Sequence, residues 1–207
     1  MFRAILIDPP WPETLIGRFK LAKHGRPDQL AYPTMTLEAI KGLPVADLAA
    51  DDAHCWLWVT NRSLPDGFAC LAAWGFKYQN TITYAKPSGF GAWWINRTQH
   101  LLFGYRGKCE FRERYKPTIQ FYNPTKHSTK PNSSYELVEQ VSYGPHVELF
   151  ARQQRAGWTC LGNAIDGRDI TETIKDTSDR MRQHDYISAC PSLSVSSSQP
   201  TSQPIAQ

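Results

Sequence analysis

Apolar residues in this chain fall into short runs separated by polar stretches, and their spacing changes from segment to segment. Arg3–Asp8 (RAILID) is an apolar, β-branched run cut off by Pro9 and Pro10, which predicts a short buried strand. A long polar stretch follows to about Tyr32. Thr36 can cap a short helix that Gly42–Pro44 ends. His54–Val59 (HCWLWV) predicts a second buried strand. Ser63-Leu-Pro-Asp66 has the form of a capping box with proline in the first turn, opening a helix that stops near Gly75. Strands are predicted over Lys77–Tyr84, Gln99–Tyr105 and Thr118–Phe121. Ser133 and Glu136 form a second box of the S-x-x-E type, Leu137, Val138 and Val141 line one helical face, and Gly144 stands at the C′ position. His146–Phe150 and Trp158–Leu161 are the last strands. Strands alternating with helices predict an α/β layer fold around a mostly parallel sheet.

From about Ile187 the pattern stops. The remaining residues are rich in serine and proline and carry no charge, so 187–207 is expected to be a disordered tail on a single domain of 1–186. A chain of 207 residues, 41% hydrophobic and 20% charged, can bury a substantial core. No apolar run approaches the roughly 20 residues that span a bilayer, and the N-terminus has no secretory pattern. A cytoplasmic protein of bacterial or phage type with no membrane association is expected. The five cysteines form no C-x-x-C pair and the histidines lack ligand spacing, which argues against a zinc site or a disulfide framework; no metal is expected.

Net charge is +4, unevenly placed. Arg18, Lys20, Lys23 and Arg26 form one basic stretch without acids. A second runs through Arg106, Lys108, Arg112, Arg114 and Lys116, relieved by Glu110 and Glu113. Either is compatible with a solvated loop, and a polyanionic partner gains weight only with independent support.

That support comes from Asp8-Pro9-Pro10-Trp11, placed at the carboxyl end of the first strand, where open α/β sheets carry their ligands. An exocyclic adenine amine is a poor nucleophile because its lone pair is delocalised into the ring. A carboxylate accepting one N–H and a proline-linked carbonyl accepting the other pull the nitrogen towards tetrahedral geometry and free that lone pair. Two prolines stiffen the turn, and a tryptophan offers a face on which a base can stack. Such catalysis is positional and electrostatic, without metal or covalent nucleophile. No G-x-G-x-x-G or G-x-x-x-x-G-K-[ST] occurs, against a dinucleotide or nucleoside triphosphate cofactor in a standard cradle. Trp93-Trp94, within Gly89–Asn96, fits a base- or strand-binding loop and equally a core or loop anchor.

In order along the chain stand DPPW, Tyr32-Pro33-Thr34-Met35-Thr36, Leu57-Trp58-Val59-Thr60, Glu148-Leu149-Phe150-Ala151-Arg152 and Leu161-Gly162-Asn163. This set resembles the MT-A70 (DPPW-type) adenine-N6 methyltransferases in their short bacterial or phage form, over roughly residues 3 to 172. The resemblance implies a Rossmann-like fold dependent on S-adenosylmethionine, permuted so that the catalytic strand comes first. It implies that Asp8 and Pro9, stiffened by Pro10, hold the target amine, and that Trp11 and Tyr32 flank the base. Trp94, Arg112, Arg114 and Lys116 are then candidates for nucleic-acid contact, and Asp8, Lys130, Phe150, Arg152 and Asn163 for the cofactor. The implied partner is nucleic acid, DNA ahead of RNA, with homodimer or heterodimer assembly left open. The intact DPPW speaks against a non-catalytic binding subunit. Departures are Gln154 and Arg155 after the ELF-x-R strand, where the family often has histidine and asparagine, and Ala164, where glutamine is common.

Overall fold

The computed structural model describes residues 1–12, 34–90, 93–123 and 130–189. Its strands are β1 (Phe2–Ile7), β2 (Ala49–Val59), β3 (Lys77–Phe90), β4 (Asn96–Arg106), β5 (Ile119–Phe121), β6 (His146–Leu149) and β7 (Trp158–Leu161). The helices are α1 (Leu37–Lys41), α2 (Leu64–Ala73), α3 (Asn132–Val141), α4 (Asn163–Asp166) and α5 (Ile170–Ala189). All seven strands join one sheet in the order β5-β3-β4-β2-β1-β6-β7. β1 pairs in parallel with β2 and β6, β6 with β7, and β3 with β5; β4 is antiparallel to both of its neighbours. The sheet is therefore mostly parallel, with helices on both faces, as an α/β Rossmann-like methyltransferase fold requires.

Alternation along the strands decides what each face buries. Ile5 and Ile7 of β1 and Cys55, Leu57 and Val59 of β2 point towards Ile40 of α1, Leu71 of α2 and Ile174 of α5. Ala4 and Leu6, with Trp56 and Trp58, point to the other face, covered by Tyr135, Leu137, Val138 and Val141 of α3. β1 is buried on both faces, which explains why its sequence is a continuous apolar run. From β1 the chain moves to β2 on one side and returns much later to β6 on the other. A crevice thus opens outside the carboxyl ends of β1 and β6, the place where such sheets bind ligands.

Several expected boundaries move. Thr36 caps α1 as expected, its side chain accepting from the Ala39 amide at 3.2 Å. Ser63 does not cap α2: its hydroxyl accepts the Thr60 amide at 2.9 Å, turning the chain before the helix begins. α3 starts at Asn132 with Pro131 at the cap position, so Ser133 lies inside it, and the helix ends at Val141, before Gly144 can act as its C′ glycine. α5 was not expected. Asp169 opens it, accepting the amides of Thr171 and Glu172 at 2.8 and 3.3 Å, and Asp169-Ile-Thr-Glu172 is the sequence signal that marks it. The helix runs through Ala189, past the domain boundary expected at Ile187. Residues 190–207 of the expected tail lie outside the described residues.

Candidate active site

β1 delivers Asp8 to the mouth of the crevice, half-buried, and the segment before α3 delivers Lys130 to the same point. The Lys130 ammonium lies 2.9 Å from Asp8 Oδ1. The same ammonium sits 5.0 Å from the centre of the Trp58 ring at the end of β2. Tyr84 of β3 packs against Trp58 at 4.7 Å between centroids, and Tyr122 against Tyr84 at 6.0 Å. The result is an aromatic floor with one ion pair at its edge. Among the described residues, Lys130 is the one side chain bound to Asp8, through Oδ1, which leaves Oδ2 for a ligand.

The neighbouring strand adds a second cluster. Tyr135 donates its hydroxyl to Glu148 Oε1 at 2.7 Å, and the Arg155 guanidinium stacks on the Tyr135 ring at 3.6 Å while bonding Asn132 Oδ1 at 2.9 Å. Burial pushes the Glu148 carboxyl above the usual range, opposed by the Tyr135 hydroxyl and Arg155, while the Asp8 charge pushes the same way as burial. Burial likewise raises the Tyr122 and Tyr135 hydroxyls, and the Asp8 charge adds to both. Asp8, Glu148, Tyr135 and Tyr122 thus share one electrostatic environment. Just beyond β6, Phe150 has φ 64°, a left-handed conformation costly for a bulky residue, which turns its side chain out of the strand alternation. Gly162 lies so close to the Ala151 backbone that a Cβ there would stand 2.5 Å from its carbonyl oxygen. This close approach holds the β6 and β7 ends together and leads into Asn163, exposed at the start of α4.

Some expected site residues fall elsewhere. Trp11 is 6% exposed and belongs to the core, with its indole N–H donated to the Trp58 carbonyl at 2.8 Å. It anchors the loop after β1 to the end of β2 and presents no open face to a base, which corrects the stacking role expected for it. Pro9 is buried, and its carbonyl already accepts the Trp11 amide at 2.8 Å, leaving one lone pair. Pro10 holds the Met35 amide at 2.9 Å, tying the loop to the start of α1. Trp94 is 81% exposed and Trp93 86%, so the core-anchor alternative for this pair is excluded. Tyr32 and the stretch Arg18–Arg26 lie outside the described residues.

The second basic stretch is at the opposite edge of the sheet. Because β4 is antiparallel, its end at Arg106 pairs with Ala53, near the amino end of β2. Arg3 at the start of β1 bonds Glu110, and Arg112 bonds the Glu139 carbonyl at 3.1 Å near the end of α3. The Arg114 charge lowers the Cys109 thiol against the stronger raising effect of burial. Lys116, on the way up to β5, is paired to Glu113 at 2.6 Å. Six residues of β1, roughly 20 Å, separate that edge from Asp8. Lys116, by contrast, stands two residues before Thr118, whose carbonyl accepts the Thr83 amide level with Val59 at the end of β2, so the stretch climbs from the amino edge at Arg112 towards the carboxyl side. Lys86, Trp58, Tyr84, Tyr122, Tyr135, Glu148 and Arg155 were not singled out as site residues from the sequence. Glu148, in the ELF-x-R strand, carried a usable signal.

The family model for MT-A70 matches residues 2–164. The chain belongs to the MT-A70 family. It is similar to the N(6)-adenosine-methyltransferase MT-A70-like protein of Arabidopsis thaliana, 29% identical over 187 residues covering 84% of this chain and 25% of that protein. It is also similar to the human N(6)-adenosine-methyltransferase catalytic subunit METTL3, 28% identical over 179 residues covering 80% of this chain and 28% of that protein. The N6-methyladenosine RNA methyltransferase MTA1 of Cryphonectria parasitica is 28% identical over 179 residues, covering 80% of this chain and 52% of that protein. This MT-A70 chain therefore spans about a quarter of the first two relatives and about half of the third. The family match begins within β1 and ends just after Asn163, so it encloses the whole Asp8–Lys130–Glu148 site.

Proposed function

We propose that this chain transfers the methyl group of S-adenosylmethionine to the 6-amino group of adenine in nucleic acid. The observation that carries the proposal is the partly exposed Asp8 carboxylate at the carboxyl end of β1, held through Oδ1 by Lys130 at 2.9 Å. When bound, S-adenosylmethionine supplies an electrophilic methyl on a sulfonium. Asp8 Oδ2 accepts one N–H of the adenine amine, and the remaining lone pair of the Pro9 carbonyl accepts the other. Held in this way, the amine would keep its nitrogen lone pair free for the methyl group, and the proton it releases would pass to Asp8. Lys130 holds that carboxylate in place through Oδ1. The aromatic floor of Trp58 and Tyr84 excludes water beneath the reacting groups.

The donor set suits the cofactor. A zwitterionic amino acid joined to a nucleoside needs an anion, a cation, a hydroxyl-binding amide and an apolar face. Asp8, Lys130, Asn163 and Phe150 supply these along the ends of β1, β6 and β7. Arg152, exposed after β6, is assigned to the same group. The exposed Trp93–Trp94 tip, at the carboxyl side of the sheet, offers stacking faces to a strand entering the mouth.

The relatives' names specify adenosine and RNA, which favours RNA as the polymer; DNA, placed first by the sequence, is the other arm of the test. RNA and DNA strands of one adenine-containing sequence are incubated with the protein and tritium-labelled S-adenosylmethionine. Label in a polymer is the expected result, greater for RNA. Label in free nucleosides alone, or in nothing, overturns the reading.

A further inference from the structure

Ile82 and Tyr84 of β3 are buried in the cluster that contains Trp58. Lys86 stands two residues beyond Tyr84 towards the carboxyl end, where the pairing with β4 shifts register after Ala85. Tyr84 and Trp58 lead diagonally across the sheet to Lys130 and Asp8. Lys86 is half-buried, and its ammonium has no ion pair or hydrogen bond with any of the described residues. Burial lowers its proton affinity, and the positive charge of Lys130 lowers it further.

This is an unfavourable place for a cation that has no partner among the described residues. Removing an ammonium from water costs free energy, and a like charge nearby adds to the cost. Of the described carboxylates near this spot, Asp8 is already bound by Lys130 and Glu148 by Tyr135. Asp8, Lys130 and Lys86 together carry a net positive charge above an apolar floor, which is the electrostatic form of an anion seat.

Position selects the anion. β3 is separated from β1 by β4 and β2, three strand spacings or about 14 Å, on the side away from β6 and β7. Phe150 and Asn163 lie beyond β1 on the other side. Lys86 thus borders the approach that runs from the exposed Trp93–Trp94 tip to Asp8, where a polynucleotide strand enters.

We propose that Lys86, with Lys130 beside it, seats a backbone phosphate adjacent to the adenosine that is methylated. The inference rests on the nucleic-acid reading above and assigns Lys86 a binding and positioning role. The phosphate lifts the repulsion between the two lysines and fixes the register of the strand, so that the adenine amine arrives at Asp8 Oδ2.

The probe is a single-stranded oligonucleotide with one adenosine, in its native form and with a neutral methylphosphonate in place of the phosphate on either side of that adenosine. Binding to the full chain is followed by fluorescence anisotropy across a salt series. Lys86→Gln is expected to weaken binding of the native strand several-fold and to reduce the slope of log affinity against log salt by about 0.7, the value for one phosphate on a single strand. One of the two methylphosphonates should weaken wild-type binding by the same factor, and Lys86→Gln should add nothing further on that strand. Lys86→Arg should restore most of the affinity. The melting temperature of Lys86→Gln should be unchanged or higher, since a strained charge is removed. Affinity for S-adenosylhomocysteine, measured by calorimetry, should not change.

A parental salt slope in Lys86→Gln, or additive losses from the variant and the methylphosphonate, overturns the phosphate seat while leaving the methyltransferase reading intact. A fall in S-adenosylhomocysteine affinity equal to the fall in strand affinity also overturns it, because the anion is then the cofactor carboxylate. If the wild-type protein binds no strand, both readings fail together.

Discussion

Around Asp8, single charges decide what each neighbouring side chain can do. Lys130 pairs with the carboxylate, and Asp8 in turn adds to the burial that raises the Tyr122 and Tyr135 hydroxyls. Elsewhere burial is the largest effect on the histidines. His54 is 4% exposed, with Nδ1 2.8 Å from Ser142 Oγ and its ring edge-on to Phe103 at 4.9 Å. Burial, with help from Arg3, lowers its pKa to about 4, and burial also lowers His100 and His146. The unfolded chain binds these protons near pH 6.5, before the folded protein does, so stability is lost as pH falls from about 6.5 towards 4. For one such group the slope reaches about 1.4 kcal/mol per pH unit. Melting curves at pH 7 and pH 5 should show this loss, and His54→Gln should reduce it. Equal acid sensitivity in both proteins would assign the loss to other groups. At this scale the sequence was informative where chemistry is local: Asp8 and Lys130 were both named. Trp11 was misassigned because one residue type suits both a stacking platform and a buried anchor, and its bond to the Trp58 carbonyl is a long-range contact that no local pattern shows.

Elements explain the larger errors. β1 and the apolar half of β2 were legible because a strand buried on both faces is a plain apolar run. The reversal of β4 was not legible, since alternation has no direction. That single antiparallel strand carries Arg112 to the amino edge and leaves the β3–β4 tip at the carboxyl side. Two sets of substitutions separate the two ends. Trp93→Ala with Trp94→Ala should weaken strand binding by about 1–3 kcal/mol per stacked base without lowering the melting temperature, because both rings are exposed. Arg112→Ala should leave the salt dependence of binding at its parental slope, because its guanidinium bonds the Glu139 carbonyl at the far end of β1. A flattened slope in Arg112→Ala with no effect of the tryptophans would reverse this assignment of ends.

For the molecule as a whole, the order of strands turns a permuted chain into a working crevice. β1 lies inside the sheet between β2 and β6, and the late return of β6 and β7 to its other side opens the cleft at which Asp8 stands. Composition and motif order were enough to place the chain in its class. The pairing of Lys130 with Asp8, the Glu148–Tyr135–Arg155 cluster and the half-buried Lys86 emerge only from the folded arrangement. The central claim is that Asp8 activates an adenine amine in this crevice. It is tested most directly by mass spectrometry of nucleosides from adenine-containing RNA incubated with methyl-labelled S-adenosylmethionine and either wild-type protein or Asp8→Ala. The wild-type protein should yield labelled N6-methyladenosine. The variant should lose at least about 3 kcal/mol of transition-state stabilisation, more than a hundredfold in rate, with a much smaller loss of S-adenosylhomocysteine binding. Label on any other atom of the base, or near-normal turnover by Asp8→Ala, would contradict the account.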